Sequence, residues 1–113
     1  HGDGQQTRDF VYVDDVVEAL VRAATAPDVD RRVINVGSGT ETSINELAET
    51  IGRVTGHEPH LLYVGSQGVG VSRMRADLTL ARSLLGYTPQ VFLEEGLRRT
   101  LVEDSRFAPV SLV

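Results

Sequence analysis

Eleven side chains in this 113-residue chain carry a permanent positive charge, and every one is an arginine. With no lysine present, no amine can serve as a base, form a Schiff base or lower the pKa of a neighbouring tyrosine. Arginine stays protonated and offers a planar fork of donors that suits phosphate or carboxylate. Arg8, Arg73 and Arg75 fall in stretches that read as loops, where recognition residues concentrate. Gly2, Gly4 and Gln6 precede Arg8. They either shape a loop over a ligand or make a simple turn, because glycine marks close backbone approach and tight turns equally well.

Other groupings point less sharply to chemistry. Gly37-Ser38-Gly39 follows an apolar run and precedes a helix signal, as in a dinucleotide fingerprint, but Thr42 stands where the third glycine belongs. The turn therefore reads first as a packing turn. His57 and His60 are separated by Pro59 in a loop, and two imidazoles without a third ligand seldom hold zinc. Asp14-Asp15 and Glu94-Glu95 are neighbours in sequence. On a helix neighbours point in different directions, so these carboxylates read as first-turn acids rather than acid/base pairs. No cysteine is present, which removes thiolate ligands, cysteine nucleophiles and disulfides.

The elements that would position these residues run in the order β-α-β-α-β-α-α. Residues 1–9 read as a polar loop and 10–13 as a short strand. Val16, Val17, Leu20, Val21 and Ala24 recur at helical spacing, with Asp15 and Glu18 as a capping box. The run 32–36 reads as a strand buried on both faces. Ser43 and Glu46 form a capping box for a helix striped by Ile44, Leu47, Ala48, Ile51 and Val54, with Gly56 as its left-handed stop. A third strand is expected at 61–64, a mobile loop at 65–72, a helix capped by Asp77 over 78–85, and a last helix over about 93–103. Gly96, inside that helix, signals close packing against another element, with a part outside this sequence as one candidate.

The length fits one domain, and 41% apolar residues support a core rather than disorder. A net charge of -5 argues against a nucleic-acid binder. No apolar run approaches the ~18 residues of a membrane span, no signal peptide is visible, and the expected location is cytoplasmic. The start at His1 reads as the cut edge of a longer protein.

Four blocks in order carry a family resemblance. Gly2-Asp3-Gly4-x-Gln6-x-Arg8-Asp9-Phe10-x-Tyr12-Val13-x-Asp15 is the first. Asn35-Val36-Gly37-Ser38-Gly39 and Ser43-Ile44-x-Glu46-Leu47 follow. The last is Arg73-x-x-x-Asp77 with Ala81, Leu85-Gly86-Tyr87-x-Pro89 and Leu93-Glu94-Glu95-Gly96-Leu97. Together they resemble the extended short-chain dehydrogenase/reductases, the NAD-dependent epimerase/dehydratase family, over about residues 2–102.

That resemblance implies an α/β fold: a small C-terminal substrate-binding lobe, about residues 1–104, with a short, mostly parallel sheet, flanking helices and a tail at 105–113. It implies that Arg8 reaches the diphosphate of a nucleoside diphosphate sugar. Arg73 is the expected second phosphate contact, with Arg75 as the alternative where Gly68-Val69-Gly70-Val71 replaces the family's Pro-Gly-Asp. Gly4 and Gln6 would shape the loop over the nucleotide. The family's Tyr-x-x-x-Lys pair and its N-terminal glycine-rich motif do not occur in this sequence. NAD and the hydride chemistry are therefore expected on an absent N-terminal Rossmann domain, which would also determine the sugar and the choice between epimerase, dehydratase and decarboxylase. Family members are often homodimers, through helices of that other domain. Two further readings stay open: a stand-alone, non-catalytic diphosphate-binding module, and a structural piece that completes a separately encoded Rossmann chain.

Overall fold

A computed structural model describes residues 2–65 and 70–107. Its elements are β1 (Thr7–Arg8), α1 (Val13–Thr25), β2 (Thr42–Ser43), α2 (Ile44–Thr55), α3 (Thr79–Leu85), α4 (Leu93–Glu103) and a 3-10 turn at Ser105–Phe107. β1 and β2 pair antiparallel, Thr7 opposite Ser43 and Arg8 opposite Thr42. The expected mostly parallel sheet is thus replaced, among the described residues, by one short antiparallel pair. The reason lies in the hydrogen bonds: a strand needs a neighbouring backbone, and the runs 10–13, 32–36 and 61–64 are in no ladder here. Ile34 and Val36 still turn inward against the core while Val33 is 86% exposed, so this run is buried on one face rather than two.

The core is small. Ala19 of α1 meets Leu78, Ala81, Leu85 and Tyr87 around α3, with Ala23, Ala26, Val29, Ile34, Val36 and Ala76 packed around them. The Tyr87 hydroxyl donates to the Gly37 carbonyl at 2.7 Å, so its buried polar tip is satisfied. α1 turns Ala19 and Ala23 toward this core, with Ala26 at its C-cap and Asp15 buried on the same side, not its large side chains. Val13, Val17, Leu20 and Val21 point outward, between 49 and 66% exposed. The helical periodicity was legible, but the side it buries in this structure is the small-residue side.

Several termini are fastened as their sequences suggest and others are not. Ser43 and Glu46 complete a reciprocal capping box on α2, and Gly56 ends that helix at φ 73°. Asp15 caps nothing. It is buried, and its two carboxylate oxygens accept the N–H groups of Gln90 and Val91 at 3.0 Å, while Tyr12 occupies the cap of α1. Asp77 accepts the N–H and hydroxyl of Thr79 in a local turn just before α3. Arg22 of α1 donates Nη1 to the Leu85 and Gly86 carbonyls at the end of α3, the terminus where a cation is stabilising. Gly96 of α4 faces Tyr12 of the same chain: a Cβ there would lie 3.2 Å from the ring. Its close packing is therefore internal.

The molecule is a slab of 49 × 46 × 18 Å, with a radius of gyration of 17.2 Å. A compact domain of 100 residues has about 13 Å. Among the described residues no helix is long and apolar enough to cross a membrane. The expected loop at 65–72 and tail at 105–113 lie partly outside the described residues.

Candidate functional site

The paired strands bring the first of the expected residues to a seam with the segment 71–74. Thr7 donates its N–H to the Ser72 carbonyl at 2.9 Å, and its hydroxyl accepts the Met74 N–H at 3.4 Å. Arg8, next on β1, donates both N–H groups of Nη1, to the Thr7 carbonyl at 2.6 Å and the Val71 carbonyl at 2.9 Å. Arg73 donates Nε and Nη2 to the two oxygens of Glu41 at 3.0 and 2.7 Å. Thr7 donates its hydroxyl to the same Glu41 at 3.0 Å. Arg8 and Arg73 therefore emerge from one seam. An arginine has five N–H groups, and each of these two has three left without an acceptor among the described residues.

The Arg73 fork and the Thr7 hydroxyl hold the Glu41 carboxyl far down, to about 2, despite some desolvation. Glu41 in turn raises Arg73 above its ordinary value, through the hydrogen bonds first and the charge second.

Asp9 ties the seam to the rest of the lobe. Its carboxylate accepts the N–H and hydroxyl of Ser38, the N–H of Gly39 at 2.9 Å and the N–H of Ala76 at 3.0 Å. Burial works against its ionisation, but the Ser38 hydroxyl and the three N–H groups outweigh that and hold its pKa below the ordinary carboxylate range. The Gly37-Ser38-Gly39 turn therefore already serves an anion, and that anion is the chain's own. A Cβ at Gly37 would lie 2.7 Å from the Asp9 carboxylate and from Ala76, which explains the glycine there.

Gly4 and Gln6 are fasteners of α2. Their carbonyls accept the N–H groups of Asn45 at 3.0 Å and Ile44 at 3.1 Å, two of the first-turn donors a helix leaves unsatisfied. Gly4 has φ 76°, and a Cβ there would lie 2.1 Å from the Asn45 amide oxygen. Both residues also line a small cavity of about 90 Å³ with Leu61, Leu62 and Tyr63, whose hydroxyl donates to Asn45 at 2.9 Å. Arg75 sits elsewhere, at a depression of about 370 Å³ before α3, with Asp77, Thr79 and Arg82.

The structure thus anchors Arg8 on the Val71 carbonyl and Arg73 on Glu41 along one seam, sets Gly4 and Gln6 at the start of α2, and gives Arg75 its own place. Thr7, Asp9 and Glu41 were not singled out in the sequence. Asp9 stood in the first family block with no role assigned, and Glu41 lies 32 residues from the arginine it holds.

The family model described as the NAD dependent epimerase/dehydratase family matches residues 1–37. The UDP-glucose 4-epimerase of Mycolicibacterium smegmatis is 43% identical over 100 residues, which make up 88% of this chain and 32% of that protein. The chain is similar to members of the NAD-dependent epimerase/dehydratase family over about a third of their length. A second relative is the UDP-N-acetyl-alpha-D-glucosaminuronate decarboxylase of Bacillus cytotoxicus, 35% identical over 107 residues, 89% of this chain and 33% of that one. Among solved structures, the UDP-glucuronic acid 4-epimerase of Bacillus cereus in complex with UDP-glucuronic acid and NAD superposes with a TM-score of 0.78. It is 33% identical, over 85% of this chain and 31% of that one. The chain spans about a third of the length of these family members, and its helix-rich α/β lobe is the part of the family fold it shares with them.

Proposed function

We propose that this chain is the substrate-binding part of an NAD-dependent nucleotide-sugar epimerase, dehydratase or decarboxylase, and that it holds the diphosphate of a nucleoside diphosphate sugar. The carrying observation is the seam: Arg8 and Arg73 are each anchored at one edge, and each keeps three N–H donors without an acceptor among the described residues. A diphosphate is a compact anion with oxygens on two centres, and a pair of preoriented planar forks is the device that grips it. Holding the diphosphate uses binding energy remote from the reacting carbon to place the sugar. The family relatives named for UDP-sugars support the same substrate class.

The Gly37-Ser38-Gly39 turn does not fit the phosphates of NAD. The N–H groups of Ser38 and Gly39, the donors a phosphate would need at that turn, are given to Asp9, and no lysine is available to partner a catalytic tyrosine. In this proposal the cofactor and the redox step belong to a Rossmann part that packs on the lobe. The outward apolar face of α1 and the thin slab support such a covering body over a stand-alone module.

The test is calorimetry of UDP-glucose or another nucleotide sugar on the full-length protein. Arg8→Ala is expected to weaken binding by about 1.5–3 kcal/mol, the range for hydrogen bonds to charged groups. Unchanged affinity removes Arg8 from the site.

A further inference from the structure

The Arg73–Glu41 pair is not explained as a stability device. The Arg73 side chain is 75% exposed, and exposed ion pairs contribute little to folding. Its geometry is nonetheless specific. Glu41 takes Nε and one N–H of Nη2, the two donors along one edge of the guanidinium plane. Thr7 holds the Glu41 carboxylate from a second direction, and Thr7 is itself fixed in β1 and bonded to Ser72 and Met74. A flexible, exposed arginine is thereby locked at its base, with the Nη1 end of the fork still open.

We propose that Glu41 is a positioning residue, which clamps one edge of Arg73 so that the opposite edge presents its donors to a phosphate group. This rests on the reading of the seam as a diphosphate site. The physical gain is entropic: arginine has many rotamers, and those lost on Glu41 before binding are not lost again when a phosphate arrives. The cost is that a carboxylate stands near an anion site. Glu41 binds the edge rather than the end of the fork, so phosphate need not displace it.

The experiment compares binding of UDP and of uridine by the full-length protein, in wild type, Glu41→Gln, Arg73→Ala and the double variant. Glu41→Gln is expected to weaken UDP on the order of tenfold, in the range of coupled neighbours, to leave uridine unchanged, and to add nothing in the Arg73→Ala background. Equal losses for UDP and uridine mean that Glu41 only supports the fold, and overturn the inference. Tighter UDP binding by Glu41→Gln overturns it as well, by making Glu41 a competitor for Arg73. If Arg73→Ala weakens UDP and Glu41→Gln does not, this inference fails and the diphosphate reading stands. If Arg73→Ala binds UDP like wild type, the reading of Arg73 fails and takes this inference with it.

Discussion

One carboxylate oxygen of Asp9 accepts both the backbone N–H of Ser38, at 2.8 Å, and the Ser38 hydroxyl, at 2.5 Å. The two residues lie 29 positions apart, and the contact closes the loop that carries Arg8 onto the turn at Gly37-Ser38-Gly39. The other oxygen reaches Gly39 and Ala76, so three segments meet at one side chain.

Asp9→Asn replaces one acceptor oxygen by an NH2 group and leaves part-buried donors without a partner. A loss of about 1–3 kcal/mol is expected, the cost of an unsatisfied group, measured by chemical denaturation at neutral pH. The pH dependence follows from the lowered carboxyls. A group whose folded pKa lies below its unfolded value adds stability above the unfolded pKa, and loses it as pH falls through the folded one. For Asp9 the ordinary value is 3.8 and the folded one lies below it. Its contribution should be constant above about pH 5 and fade below that, as pH falls through the folded value. Wild type should lose more than Asp9→Asn over that window; equal acid sensitivity would contradict the role given to Asp9.

Gly4 combines a left-handed φ with no room for a Cβ. Gly4→Ala should therefore cost about 1–3 kcal/mol from the strained backbone alone, and release the 2–8 loop from the first turn of α2. Hydrogen exchange at the Ile44 and Asn45 amides, which donate to Gln6 and Gly4, reads that release directly. Protection equal to wild type would show that the loop is not what holds them.

The outward face of α1 separates two contexts. In this chain alone, Val17→Gln with Leu20→Gln should change stability by no more than about 0.5 kcal/mol, as for ordinary surface positions. In the full-length protein, if a Rossmann part covers this face, the same pair should cost several times more, at about 1.5–3 kcal/mol for each buried aliphatic side chain. Similar small effects in both contexts would leave the face uncovered and remove that support for the proposed arrangement.

The local elements were legible because their causes are local. The Ser43–Glu46 box, the Gly56 and Gly86 stops, and the helical spacing in α1, α2 and α4 each depend on residues within one or two turns of each other. The residue types of the site were legible too: with arginine as the sole permanent cation, any cationic side chain set against an anion had to be a guanidinium. Tertiary structure alone decided the rest. Which face of α1 turns inward depends on what the helix meets, and here the small Ala19 face meets α3. The predicted strands form no parallel sheet here, because a ladder needs a second backbone alongside. Asp15 moved from helix cap to buried acceptor because Gln90 and Val91, 75 and 76 residues on, brought it two N–H groups. Glu41 became the partner of Arg73 only when the chain folded β2 and the 71–74 segment onto the two edges of β1. Residues that far apart in sequence share a site through packing and long-range hydrogen bonds, and neither leaves a trace in spacing.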